Sequence, residues 1–296
     1  MSKNVSQAFE KLLLYLSQIE RERNGQIITG SQNGRKFRYV RDCLSNFTQT
    51  VIKRDFNTLT FDDIDLQFLQ KYVNHLNGCN VGNKLQKLRR VFREANADTS
   101  IFDGVKIPVK SKEETFSMGH TAIEKIEFMN RAKLTEKEKL YIDMFLFGYY
   151  TGGSTINEMA SLKISSIKKG YLYCKRNASE NIAVIPLCSD VLHIIEKYQP
   201  KCFDDYLLPI FTHKHNSPEQ QLGRIKRISE LTNQTLKKVS KMLKLENVIT
   251  MGRVKLVFIE HMLTNEVPYE KVAQYLGCSI ETVLRYSEKM HQNYDE

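Results

Sequence analysis

Tyr286 lies in the stretch QYLGCSIETVLRYSE, near the end of a run that Ser279 can cap once Leu276-Gly277 has closed the helix before it. A tyrosine hydroxyl there either attacks a phosphate or packs as one more aromatic of a helix. A second group with chemical potential lies upstream in GNKLQKLRRVFREANA. There Arg89, Arg90 and Arg93 fall within about a third of a helix circumference, flanked by Lys87, beside an apolar stripe of Leu85, Leu88, Phe92 and Ala95. Such a helix packs inward and grips phosphates outward, or its arginines merely solubilise the surface. His213 and His215 form an H-x-H pair with no third ligand in view. Cys43, Cys79, Cys174, Cys188, Cys202 and Cys278 are scattered without C-x-x-C spacing, so neither a zinc site nor a disulfide framework is expected, and no cofactor is implied.

These residues need elements to hold them. The first third reads as helices: Phe9, Leu12, Leu13, Leu16 and Ile19 share one face, and Phe37, Val40, Leu44, Phe47 and Val51 another. Thr60-x-x-Asp63 resembles a capping box ahead of a third helix, and the arginine helix is the fourth. DGVKIPVKSKEETFSMGH has no periodicity and reads as a linker, which sets domains at 1–104 and 118–296 with 105–117 between them. Capping patterns at Thr121-x-x-Glu124 and Thr135-x-x-Glu138 restart helices. TGGSTINEMASL is a Gly-rich turn into a short helix, YLYCKR and IAVIPL form a hairpin around NASEN, and everything from Ser217-Pro218 onward is helical. The fold class is therefore mainly α: an all-α N-terminal domain plus a mostly helical domain with a small antiparallel sheet.

Composition bounds the partners. The chain has 296 residues, 41% hydrophobic and 26% charged, which describes a globular protein of one large or two ordinary domains. Its longest apolar run, YIDMFLFGYY, is about half a membrane span, and the N-terminus does not read as a signal peptide, so a cytoplasmic protein is expected. The sequons at Asn46, Asn177 and Asn233 carry no meaning without secretion. Net charge is +10, of which residues 1–110 hold +7 and the remainder +3. A basic first third fits a nucleic-acid partner or a solvated surface.

The order YYTGG…NEMASLKISSI, a hairpin ending in VIPL, YLLPIF, LENVITMGRVK and VPYEKVAQYLGCSIETVLRY resembles the tyrosine recombinase (phage integrase) family. The resemblance runs through the whole chain and is nearest to short recombinases of bacterial mobile elements, without the additional arm-binding domain of larger integrases. It implies a helical, SAM-like core-binding domain ahead of an α+β catalytic domain. It also implies a metal-free reaction in which a tyrosine attacks a DNA phosphate to give a 3′-phosphotyrosine and a free 5′-hydroxyl. In that reaction two arginines clamp the non-bridging oxygens, a hairpin lysine protonates the leaving oxygen, and histidines assist.

Carried over by position, the constellation is largely substituted. The first arginine falls at Ser154, or in a variant placement at Gly152. The hairpin lysine falls at Asn177 or Ala178, with Lys175 and Arg176 just before. The H-x-x-R helix aligns with Gly252 and Lys255, and the LGH histidine is Cys278. Tyr286 alone is unchanged, one residue nearer to Cys278 than usual. Lys255 keeps a charge without the bidentate grip of arginine, and Arg253 points roughly opposite to it. Arg38, Arg41, Lys87, Arg89, Arg90, Arg93, Lys175, Arg176 and Arg253 are the residues expected to meet DNA, while Arg285 is a further base near the tyrosine. Three readings stand: a catalytically degenerate DNA-binding relative that regulates or supports recombination, an active divergent recombinase working through Tyr286, and a non-DNA interaction protein reusing the fold. VPYEKVAQYLGCSIETVLRYSEKM also scans as a helix-turn-helix. Double-stranded DNA is the expected partner, with a monomer that assembles on DNA, an association with a partner recombinase, and no membrane contact. The short polar tail SEKMHQNYDE disfavours docking on a neighbouring protomer.

Overall fold

The computed structural model describes residues 4–23, 26–29, 32–76, 80–107, 119–176 and 181–291. The chain divides into two compact units, Met1–Glu113 and Glu114–Glu296. Among the described residues no helix is long and apolar enough to cross a membrane.

The first unit contains α1 (Val5–Gln18), α2 (Gln32–Phe47), α3 (Leu66–His75) and α4 (Val81–Glu94). Their inward stripes meet in one core: Phe9, Leu12 and Leu16 from α1, Phe37, Val40, Leu44 and Phe47 from α2, Leu69 and Tyr72 from α3, and Leu88 and Phe92 from α4 are all buried. Aromatic edges close it, with the Phe61 and Phe92 rings 4.7 Å apart and near perpendicular. Val51 departs from the expected stripe: α2 passes into a π-type turn over Thr48–Ile52, and the changed rotation leaves Val51 46% exposed. Thr60 and Asp63 do form a capping box, but on a single 3₁₀ turn (Phe61–Asp63), whereas Asp65 caps α3 by accepting from the Phe68 amide at 2.7 Å.

This unit is not purely helical. Strands β1 (Glu20–Arg23) and β2 (Gln26–Thr29) pair antiparallel with Glu20 opposite Thr29. The sequence cue was the Asn-Gly pair at 24–25, which favours two-residue hairpin turns. No apolar alternation accompanies it in ERER, so the hairpin escapes a reading based on hydrophobic period.

The second unit is built on α6 (Glu136–Tyr150), whose residues Tyr141 to Tyr149 are all buried. Thr135 caps it in a true capping box with Glu138. Around it pack α5 (Gly119–Glu127), α7 (Ile156–Met159), α8 (Ser189–Tyr198), the 25-residue α9 (Pro218–Met242) and α10 (Val254–Thr264), while α11 (Tyr269–Leu276) and α12 (Ile280–His291) pack on α10 and on each other. Thr121 falls inside α5, which begins at Gly119, so it is not a cap. Strands β3 (Ile167–Lys168), β4 (Tyr171–Lys175) and β5 (Ile182–Pro186) form the expected small antiparallel sheet, with Cys174 opposite Ala183 and Lys175 opposite Ile182. Buried Asp143 on α6 ties this framework: it accepts from Arg131, from Lys197 at 2.7 Å and from the Tyr198 hydroxyl at 2.7 Å.

Candidate functional site

The site forms where four segments of the second unit converge: the turn after α6, the end of β4, the first turn of α10, and the α11–α12 junction. Gly152 and Gly153 make the first segment fit. Both have positive φ, and a Cβ on Gly153 would stand 2.4 Å from the Lys255 Cα, which presses the turn directly onto α10. Gly277 ends α11 in the left-handed region, where a Cβ would meet the Ala183 amide nitrogen and the Arg176 Cγ, each at 3.0 Å.

Arg176 fills the centre. Strand alternation turns Leu172, Cys174 and Arg176 inward and leaves Tyr171, Tyr173 and Lys175 exposed. The Arg176 side chain is only 6% exposed. Its Nε donates to Leu276 O at 3.0 Å. Its Nη1 donates to Ser154 Oγ at 2.9 Å and faces Glu158 Oε2 at 3.4 Å. Its Nη2 donates to Gly152 O at 2.9 Å, Tyr275 O at 3.0 Å and Thr151 O at 3.1 Å. A guanidinium has five N–H groups, and here they meet six oxygens. Arg176, expected from the sequence to contact DNA, is thus enclosed and fully engaged within the protein.

Ser154 is buried as part of the same knot and donates to Thr151 O at 2.8 Å while accepting from Arg176. Glu158 is also buried and closes a capping box with Thr155 at the start of α7. Lys255 is half-buried on α10 and Gly252 is exposed just before it. Cys278 is half-buried beside both cations: burial pushes its thiol above the usual range, opposed by Lys255 and Arg176, so it stays protonated near neutral pH. The Cys174 thiol is likewise raised, by burial first. Tyr286 is half-buried on α12 and packs against the main core, and its hydroxyl has no hydrogen-bond partner among the described residues. Arg253 is half-buried with its Nη1 enclosed and without a hydrogen bond. Lys175 is exposed, while Asn177 and Ala178 lie outside the described residues.

The H-x-H pair belongs to a loop. His215 Nδ1 accepts from the Thr212 amide at 3.0 Å, burial lowers its pKa, and no group of three His, Cys, Asp or Glu side chains suited to a metal occurs among the described residues.

In the first unit the arginine face of α4 is partly neutralised. Arg89 pairs with Asp103 at 2.9 Å, and Arg90 pairs with Glu94 at 3.3 Å while lying over the Phe37 ring. Arg93 is exposed without a partner among the described residues, and Lys87 is half-exposed with its ammonium 3.4 Å from Asn83 O. On α2, Arg38 is exposed and Arg41 is paired with Asp42 at 2.9 Å. Lys84 went unnoticed in the sequence. It sits at the edge of the α4 apolar stripe, which is the signal that its stem is buried; the side chain reaches over the Tyr39 ring.

This mainly helical arrangement with a small antiparallel sheet is the fold of solved tyrosine recombinases and integrases. The structure aligns with the Tn1549 transposon integrase in complex with a circular intermediate DNA at a TM-score of 0.63 and 12% identity, covering 96% of this chain and 95% of that one. It aligns with a lambda integrase tetramer bound to a Holliday junction at 0.64 and 12% identity, covering 95% and 77%. A lambda integrase dimer bound to a COC′ core site gives 0.63 and 11% identity over 97% and 95%. No family model matches the sequence, and no curated protein matches it.

Proposed function

We infer that the protein binds double-stranded DNA as a catalytically degenerate relative of the tyrosine recombinases, acting in or regulating site-specific recombination of a mobile element. On this reading residues 1–104 are the core-binding domain, residues 118–296 correspond to the catalytic domain, and the protein assembles on DNA alone or with a partner recombinase. The shared fold supports the partner, since the integrases it resembles were solved bound to DNA. The loss of chemistry is carried by one observation: the guanidinium in the site, that of Arg176, spends its donors on four backbone carbonyls, Ser154 and Glu158. Removing a single preorganised donor to a developing oxyanion costs about 3 kcal/mol, or about 10²–10³ in rate. A half-buried Lys255 supplies charge without a planar fork.

A second reading, an active strand transferase, is favoured by the hydroxyl of Tyr286, which has no hydrogen-bond partner among the described residues. Wild type and Tyr286→Phe, incubated with nicked duplexes from the DNA flanking the gene, separate the two. A shift on native gels shared by both proteins, with no band surviving denaturation, is the expected result. A denaturation-resistant band lost in Tyr286→Phe refutes degeneracy, and an absence of salt-sensitive binding leaves the third reading, a non-DNA interaction protein.

A further inference from the structure

Lys84 is the buried Lys or Arg of the first unit among the described residues. It occupies the first turn of α4 and is only 6% exposed, as buried as the adjacent Leu85. Burial of that degree normally comes with a carboxylate, because an ammonium removed from water without one is costly. Lys84 has neither an ion pair nor a side-chain hydrogen bond among the described residues. Its Nζ stands 5.4 Å from the centroid of the Tyr39 ring, a contact that attracts the charge without accepting its protons. Among the described residues the Nζ is not one of the enclosed unpartnered atoms, consistent with a covered stem and a head that reaches solvent.

The start of α4 itself presents no acid beside Lys84, and no side chain caps the helix at Asn80. The N-terminal end of a helix is positively polarised, and helical side chains lean toward it, which adds to the Lys84 charge. Tyr39 is 58% exposed on α2, next to exposed Arg38, and Lys87 lies one turn along α4. Elsewhere on α4, Arg89 and Arg90 are already paired with Asp103 and Glu94.

Resting on the DNA-binding reading above, we propose that Lys84, held by the Tyr39 ring, is a preorganised contact for a phosphodiester of the DNA backbone. The buried stem has already lost its rotamer freedom, so the contact forms with a smaller entropy cost than one from a solvent-facing lysine. It positions the first unit on the duplex without reading sequence.

The test measures binding of the full chain to a mixed-sequence duplex between about 50 and 200 mM salt, since each phosphate contact contributes about 0.9 to the slope of log affinity against log salt. Lys84→Met keeps the apolar stem and removes the charge, and Lys71→Met on α3, where the lysine is exposed, is the control. The expected result is a slope shallower by about 0.9 in Lys84→Met, equivalent to about 3- to 4-fold less affinity lost across that range. Lys71→Met and Lys84→Arg should keep the wild-type slope. An unchanged slope in Lys84→Met, or an equal reduction in Lys71→Met, overturns the proposal and leaves the DNA-binding reading standing. Wild-type binding that is absent or insensitive to salt overturns both. A measurement without substitution guards against misfolding: DNA should protect Lys84 of the wild-type chain from an acylating reagent, and equal labelling with and without DNA refutes the contact.

Discussion

Replacing Arg176 by methionine tests the centre of the site most directly. Methionine approximates the volume of the arginine stem and removes the guanidinium, taking from the Gly152, Tyr275 and Leu276 carbonyls the Arg176 donor and from the buried Glu158 carboxylate the facing cation, while Thr151 O keeps its bond from Ser154 and Glu158 its bonds from Thr155. Breaking a buried ion pair by deleting one member costs about 3–5 kcal/mol, because the other charge stays uncompensated. The Nη1–Glu158 distance of 3.4 Å is long for a charge-assisted bond, so the lower half of that range is the better expectation, to which the orphaned carbonyls add. A total of about 4 kcal/mol corresponds to a fall of about 8–16 °C in the midpoint for a unit of this size. Thermal and urea unfolding of the full chain reads it. Adding Glu158→Gln to Arg176→Met removes the carboxylate charge that faced the guanidinium and should recover about 1–2 kcal/mol, the coupling expected of contacting groups. Arg176→Lys keeps the charge but cannot span three segments, so it should fall between the two. A loss below about 1 kcal/mol in Arg176→Met would refute the claim that this guanidinium holds the site together.

Other perturbations follow from the same geometry. Gly153→Ala forces a side chain into a positive-φ position 2.4 Å from the Lys255 Cα and should cost more than about 3 kcal/mol, read as loss of the cooperative unfolding transition. The Asp143 carboxyl is held below the usual range, burial opposing but Lys197, Tyr198 and Arg131 outweighing it. Its contribution is present above the unfolded pKa near about 4 and is lost as pH falls through the lower folded value, so Asp143→Asn should flatten the acid limb of the stability curve. Asp63 is pulled down to about 2, chiefly by its hydrogen bond from Arg54, so its share should fade from about pH 4 to about 2, and Asp63→Asn should abolish that portion of the titration. Cys278 should alkylate more slowly than a free thiol at pH 7, and Lys255→Met should slow it further, since Lys255 lowers a pKa that burial has raised.

Much of this architecture was legible because it is local. The capping box at Thr135, the Gly-Gly turn after α6, the Ser217-Pro218 start of α9 and the Gly277 stop of α11 each depend on residues within a turn of one another. The β4–β5 hairpin was equally plain in YLYCKR and IAVIPL. What escaped notice had weak local signals. The β1–β2 hairpin carries an Asn-Gly turn sequence but no apolar alternation in ERER, and Thr121-x-x-Glu124 imitates a cap inside a helix that begins two residues earlier.

Arg176 and Lys84 show why charge in a sequence does not by itself mean surface. Both are cations in basic stretches, and both belong by period to an inward face: Leu172, Cys174 and Arg176 alternate along β4, and Lys84 precedes Leu85 on α4. The fates of the two inward cations then diverge according to what waits for them. Arg176 enters a cluster of backbone carbonyls 99 to 100 residues downstream and 24 to 25 upstream, plus a buried carboxylate, so its charge is consumed in joining segments. Lys84 meets an aromatic ring and, among the described residues, no acceptor, so its charge is not consumed as that of Arg176 is. No helix period or strand alternation distinguishes these outcomes, because the deciding acceptors lie far along the chain. Counting each donor against its acceptors separates a cation that builds the protein from one left to bind something else.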